Sequence, residues 1–173
     1  APSNASQTAK DSADVVLTGT ADQTLINTAL TAAAGGKVYI LEGTVTITGS
    51  ISVPNNTTLA GAGNGTLVTI PNGLNTNTNA IINTDTTTGT GVTIQDLRLD
   101  GNAGNQSSGS MSGVVLSGMG AGSGASARRG AKVTGVISNN WNALGIYVYL
   151  SSNNTFNGNT TKGNAAYGFY GVG

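Results

Sequence analysis

From residue 37 to its end, this chain is written in short β-prone runs separated by turn residues. Lys37-Val38-Tyr39-Ile40-Leu41, Val45-Thr46-Ile47, Ile51-Ser52-Val53, Leu67-Val68-Thr69-Ile70, Val92-Thr93-Ile94, Leu97-Arg98-Leu99, Val114-Val115-Leu116 and Ile146-Tyr147-Val148-Tyr149 are typical, with Gly, Asn, Asp or Pro between them. Alternation such as Val45-x-Ile47 or Leu97-x-Leu99 sends one face inward and the other outward. A β-sandwich also has many strands, but its strands are longer and its hairpins carry characteristic two-residue turns. Here the runs are shorter, and the turns lack regular hairpin dipeptides between paired strands. A faint repeat points the other way: Asn140-Trp141-Asn142-Ala143-Leu144-Gly145-Ile146-Tyr147 is echoed by Asn164-Ala165-Ala166-Tyr167-Gly168-Phe169-Tyr170. A period of about 23 residues is one coil of a β-solenoid. Stacked coils place like residues over like, so inward aliphatics form ladders and turn asparagines bond the coils above and below.

The first 36 residues read differently. Residues 1–13 are small and polar without a period, an arm that is either flexible or docked, and Asp14-Val15-Val16-Leu17 is a short strand candidate. Residues 21–34 are the one good helix. Thr20 is placed as N-cap with Gln23 at capping-box spacing, and Asp22 stands in the first turn, where it favours the dipole. Leu25, Ile26, Ala29, Leu30 and Ala33 share one face, and Gly35-Gly36 ends the helix. The expected fold is therefore all-β: a right-handed parallel β-helix of about six coils over residues 14–173, capped by this helix.

Composition narrows the function. The 173 residues hold seven Lys and Arg, seven Asp and Glu, and no His or Cys; only 8% are charged. Disulfides and cysteine metal sites are excluded, and the commonest general base and transition-metal ligand is absent. Sparse, balanced charge argues against a nucleic-acid partner. No stretch is apolar for long enough to span a membrane as a helix. The opening Ala1-Pro2-Ser3-Asn4 without Met suits a mature secreted form. Sequons at Asn4, Asn55, Asn56, Asn64, Asn105, Asn153 and Asn159 are glycosylation candidates.

The order of segments resembles a known superfamily. A helix is followed by Gly36-Lys37-Val38-Tyr39-Ile40-Leu41-Glu42-Gly43-Thr44-Val45, then by Ile51-Ser52-Val53-Pro54-Asn55-Asn56 and Leu59-Ala60-Gly61-Ala62-Gly63. Val92-Thr93-Ile94-Gln95-Asp96-Leu97-Arg98-Leu99-Asp100-Gly101-Asn102 follows. This resembles the opening of pectate-lyase-like right-handed parallel β-helix proteins, over roughly residues 14–170. The resemblance is specific for the fold alone, since the superfamily holds lyases, hydrolases, epimerases, tailspikes and non-enzymatic surface proteins.

Three clusters are candidates for chemistry. Asp96, Arg98 and Asp100 alternate along one run and would share one outward face. The resemblance implies an enzymatic use for them, with acidic groups holding Ca²⁺ and an arginine as base, or paired carboxylates as in glycosidases. The simpler reading is an ion-pair row with Asp100 shaping the Asp-Gly turn. Asp85, on a Thr-rich loop, is the next acidic candidate. Arg128-Arg129, in a Gly/Ser/Ala loop, would clamp a uronate or sit solvated. Trp141, Tyr147, Tyr149, Tyr167, Phe169 and Tyr170 concentrate the aromatics in the last third, as a sugar platform, a core stack or an interface. Gly61-Ala62-Gly63-Asn64-Gly65 follows a run but leads into another run, so a dinucleotide loop is excluded.

The run Gly168-Phe169-Tyr170-Gly171-Val172-Gly173 leaves an uncapped coil, which invites strand addition by another chain. Two functional expectations follow. The first is a non-enzymatic extracellular structural protein that self-assembles head to tail. Its interface would be Tyr167, Phe169 and Tyr170 against the arm Ala1, Pro2, Ser3 and Asn4. The alternative is a carbohydrate-active β-helix, either a polysaccharide lyase or hydrolase or a tailspike-like glycan binder. No cofactor is expected, apart from Ca²⁺ under that alternative.

Overall fold

The computed structural model describes residues 1–120 and 130–172. Two short helices, α1 (Gln7–Asp11) and α2 (Gln23–Ala32), precede thirteen strands. The first coil is β1 (Lys37–Ile40), β2 (Gly43–Thr46) and β3 (Ile51–Val53). The second is β4 (Thr58–Thr69) and β5 (Thr78–Asn83), the third β6 (Thr93–Asp100) and β7 (Met111–Ser117). The fourth is β8 (Lys132–Thr134), β9 (Ile137–Asn139) and β10 (Ile146–Tyr149). The fifth is β11 (Thr155–Asn157), β12 (Thr160–Lys162) and β13 (Phe169–Val172). Every strand pairing is parallel. One sheet of eight strands bends to form two faces, and a second of five strands, β3-β5-β7-β10-β13, closes the coil. That makes five coils, one fewer than the chain length suggested, because the connections after the second and third coils' strands are long.

The core is a stack of ladders. Val38, Leu59, Ile94, Val133 and Phe156 lie over one another through the pairings β1–β4, β4–β6, β6–β8 and β8–β11. Ile51, Ile81, Val114, Ile146 and Phe169 do the same in the five-stranded sheet. The first four members of this second ladder are fully buried. Asparagines stitch the seams at the expected interval. Asn154, Asn159 and Asn164 accept from the backbone N–H of Ala131, Val136 and Trp141, each 23 residues back, at 2.7, 3.0 and 3.1 Å. Asn159 and Asn164 also donate back, to the carbonyls of Val133 and Ser138.

The N-terminal end departs from expectation in its details. Helix α2 buries Ile26 and Leu30 over the first coil, as its periodicity predicts, but it starts at Gln23 with Asp22 as N-cap and not at Thr20. Asp22 does not act as a surface charge on the dipole. It is fully buried, and its carboxylate accepts from the N–H groups of Thr18, Gly19 and Thr46 at 3.1, 2.8 and 3.0 Å. Gln23 makes no capping box and pairs with Thr48 instead, donating to its hydroxyl and accepting from its N–H. Asn27 closes the next edge, accepting from Ser52 N–H and donating to the Ser50 carbonyl. Residues 1–13 are docked, not free: Asn4 accepts from Thr44 N–H at 2.7 Å, Leu17 N–H donates to Ala1, and Pro2 is buried. Residues 14–17 form no strand, leaving Val15 and Val16 exposed.

Candidate functional site

The acidic and basic cluster separates at a corner. Asp96 has φ +53°, in the left-handed region that Asp tolerates better than most residues. There β6 bends: residues 93–95 pair with β8, residues 98–100 with β9. Gln95 lies against Thr134 and Arg98 against Ile137, so Asp96 stands over Gly135. A Cβ on that glycine would meet Asp96 Oδ1 at 2.6 Å, and its φ of +63° also needs glycine. Asp96 therefore does not share a flat face with Arg98 and Asp100, as alternation predicted; two consecutive residues, Gln95 and Asp96, face outward at the bend. Asp100 is occupied by its own turn. Its Oδ1 accepts from Asn102 N–H at 2.9 Å, and Oδ2 accepts from Asn140 Nδ2 at 3.1 Å and pairs with Arg98 at 3.5 Å. Asp96 accepts from the Gln95 amide.

Asp85 is also spoken for. It caps the 85–90 loop, accepting from the backbone and hydroxyl groups of Thr88 and Thr87 and from Asn55. These bonds, Thr88's foremost, hold its carboxyl well below the ordinary carboxylate range. A calcium ion takes roughly six to eight oxygen ligands. Asp96, Arg98 and Asp100 do not fit that group, since the two carboxylates sit on different sides of a corner and Asp100 is saturated. Among the described residues no three Asp or Glu side chains gather as metal ligands.

The aromatic third of the chain does assemble a surface. Tyr147 lies over Tyr170 in the β10–β13 register, with ring centroids 5.6 Å apart and planes at 20°. Tyr149 stands two residues along the same strand, 6.2 Å from Tyr147, and Tyr167 stacks on Tyr170 at 5.1 Å and 12°. These four rings form one continuous patch on the outside of the five-stranded sheet. Tyr149, Tyr167 and Tyr170 are 40%, 59% and 39% exposed, enough to leave ring area for a ligand. Beneath the patch the outward row continues as Val115, Ile82 and Ser52. An outward row this apolar is unusual for a solvent-facing sheet, where polar residues normally alternate with the core.

Trp141 does not belong to the patch. It is fully buried and fills the space left by Gly101 and Gly113, where a Cβ would lie 2.5 and 2.8 Å from its ring. Its indole N–H has no hydrogen-bond partner. Phe169 points to the core side and meets Phe156 edge-on at 4.8 Å. Arg128 and Arg129 lie outside the described residues. Of the assembly candidates, Pro2 and Asn4 pack against Gly43 and Thr44 of the chain's own first coil, Ala1 bonds Val15 and Leu17, Ser3 lies beside Gly19, and Tyr167 and Tyr170 are in the patch. Of the sequon asparagines, Asn55, Asn105 and Asn159 use their amide nitrogens as hydrogen-bond donors, to Asp85, Asn102 and Val133. Asn4, Asn56, Asn64 and Asn153 are exposed. A groove of about 620 Å³ lies between residues 12–17 and the α2–β1 corner, lined by Val15, Leu17, Leu25, Ile26 and Val38. None of the four patch tyrosines lines it.

The architecture is a parallel β-helix, the fold shared with solved structures of similar shape. Among solved structures, the chain is similar to the A-module of the mannuronan C-5 epimerase AlgE4 from Azotobacter vinelandii. The TM-score is 0.67, with 22% identity over 90% of this chain and 51% of that one. The A-module of AlgE6 from the same organism gives the same TM-score and identity, with 90% and 50% coverage. This likeness is one of fold, and the chain spans about half the length of these structures. No protein-family model and no curated protein matches the chain. No helix among the described residues is long and apolar enough to cross a membrane.

Proposed function

We propose that this protein is a non-catalytic carbohydrate-binding β-helix of the extracellular space, and that the patch of Tyr147, Tyr149, Tyr167 and Tyr170 is its polysaccharide site. The single observation that carries this reading is four tyrosine rings linked in one row, three on the outward face of a sheet and Tyr167 from the turn before β13. Pyranose rings present apolar C–H faces, and exposed tyrosines supply an apolar surface with a polar rim to receive them. Strands in a sheet lie about 4.8 Å apart, so rings on adjacent coils present a regular, extended track suited to a polymer. The fold neighbours include mannuronan C-5 epimerases, named for a polysaccharide, which supports carbohydrate as the ligand class. A binding role accounts for the residues better than a catalytic one, because Asp22, Asp85 and Asp100 are each engaged in holding backbone turns.

The test is affinity electrophoresis of the purified protein through gels containing a panel of polysaccharides. At least one should retard the protein. Tyr147→Ala with Tyr170→Ala should weaken retardation about tenfold, the scale of a lost aromatic anchor. Retardation by no polysaccharide, or retardation unchanged in the double variant, would remove the proposal. Turnover of a polysaccharide that disappears in Asp96→Asn would replace it with an enzymatic reading.

A further inference from the structure

The side chains most readily oxidised are sorted by position. The chain has no Cys and no His, and Met111, Met119 and Trp141 are fully buried. The five tyrosines are not: Tyr39, Tyr149, Tyr167 and Tyr170 are exposed and Tyr147 is half-buried. Oxidation of a side chain follows its exposure, so the phenols are the class an outside oxidant reaches first. Four of them touch, and Tyr170 is the centre. Its ring lies 5.1 Å from that of Tyr167 with planes at 12°, and 5.6 Å from that of Tyr147 with planes at 20°. Tyr39 is the exception. It stands on β1 in the first coil, away from the fourth and fifth, with the Lys37 ammonium 5.3 Å from its ring.

We infer that Tyr170 is the centre of an oxidative modification site. There a one-electron oxidant, hydrogen peroxide acting through a haem peroxidase, joins it to a stacked neighbour as a dityrosine cross-link within the chain. The inference does not depend on what the patch binds. The oxidant takes one electron and one proton from each of two phenols. The two phenoxyl radicals form a carbon–carbon bond between ring carbons ortho to oxygen. Each of those carbons passes its hydrogen to its own ring oxygen, and the peroxide leaves as two waters. The protein loses two hydrogens in all. Rings that already stack react as one molecule and need no collision between two. Near-parallel planes place the carbons of one ring over those of the other. Tyr167 is the first partner, because it is the nearest, the most exposed of the four, and stands before β13 with no strand ladder to fix it. Tyr147, opposite Tyr170 in the β10–β13 register, is the second. That second link would staple the fifth coil to the fourth in a chain with no cysteine to do so.

Treatment of the purified protein with a haem peroxidase and hydrogen peroxide decides it, read by dityrosine fluorescence, intact mass and tryptic mapping. We expect a monomer lighter by two hydrogens, in a yield unchanged on about tenfold dilution. Cleavage after Lys132 and Lys162 separates the partners. A Tyr167–Tyr170 link stays inside the peptide that starts at Gly163, and should dominate; a Tyr147–Tyr170 link joins that peptide to the one starting at Val133. Either link supports Tyr170 as the centre. Tyr170→Phe keeps the ring and removes the phenol, and should lower the monomer's dityrosine about tenfold, since the remaining phenols are left to less favourable encounters. Tyr39→Phe should leave it unchanged. Dityrosine found chiefly in covalent dimers, dityrosine as abundant in Tyr170→Phe as in wild type, or no coupling at all would each overturn the inference. Circular dichroism of Tyr170→Phe checks that its fold is retained.

Discussion

The first and the fifth coil shield their inward side chains from water to very different degrees. At the N-terminal end, helix α2 lays Ile26 and Leu30 over the first coil, and Asn4, Asp22, Gln23 and Asn27 satisfy the outer edges of β2 and its neighbours. The inward residues there are dry: Val45, Ile47, Ile51 and Val53 are all fully buried. In the fifth coil the same ladder position is held by Phe169, which is 49% exposed. An inward side chain in a β-helix becomes core only when a layer lies on both sides of it. Position in the ladder, more than residue type, therefore sets how much each aliphatic or aromatic side chain contributes.

This contrast makes graded predictions, measured as changes in unfolding free energy by urea denaturation. Truncating the sealed end should cost most. Leu30→Ala removes a fully buried side chain between helix and coil and should destabilise by about 3 kcal/mol. Asp22→Ala should be close behind, at about 2–3 kcal/mol, because it leaves the N–H groups of Thr18, Gly19 and Thr46 without their acceptor. An Asp22→Ala protein as stable as wild type would mean that water replaces the carboxylate and that the end is not sealed.

The seam between the fourth and fifth coils comes next. Asn164→Ala removes an acceptor for Trp141 N–H and a donor to the Ser138 carbonyl, and should cost about 1–2 kcal/mol. Phe169→Ala, in the half-exposed fifth coil, should cost only about 1 kcal/mol, despite removing a larger side chain than Leu30→Ala. A reversed order, with Phe169→Ala costlier than Leu30→Ala, would show that the last coil is covered in solution.

These same regions show what can be read from a sequence of this kind. The repeat was legible where nothing interrupts it. Asn140–Tyr147 and Asn164–Tyr170 align in the structure as they do on paper, because the last two coils have no insertions. The coil number was less legible, since residues 71–77 and 101–110 lengthen the earlier coils and hide the period. Alternation failed at Asp96, where one left-handed residue turns the chain through a corner without interrupting the run of β-prone letters. The start of α2 was misplaced because Asp22 answers to Thr46, 24 residues away, and local capping patterns cannot register that. The tyrosine patch was half legible. Two-residue spacing put Tyr147 and Tyr149 on one face, but only the coil register brings Tyr170 over Tyr147. Trp141 could not be sorted from them, because the space it fills is made by Gly101 and Gly113 on the preceding coil.

The smallest expected effect lies between the two ends, in the 85–90 loop, and it is a dependence on pH. Hydrogen bonds from Thr88, Thr87 and Asn55 favour the ionised form of Asp85, so its folded-state pKa lies below the unfolded value of about 3.9. A group depressed in this way stabilises the fold in full above the unfolded pKa. The contribution is lost as pH falls toward and through the folded pKa, because the unfolded chain then binds a proton more readily than the native one. Asp85→Asn should therefore leave the midpoint of thermal unfolding little changed in its pH dependence from pH 5 to 8. Below about pH 4 the variant's curve should fall less steeply than that of wild type. Because Asp85 is exposed to solvent and its partners are flexible threonines, the difference should be a small fraction of that caused by Asp22→Ala. Parallel acid limbs in the two proteins would show that the loop does not hold the carboxylate in solution.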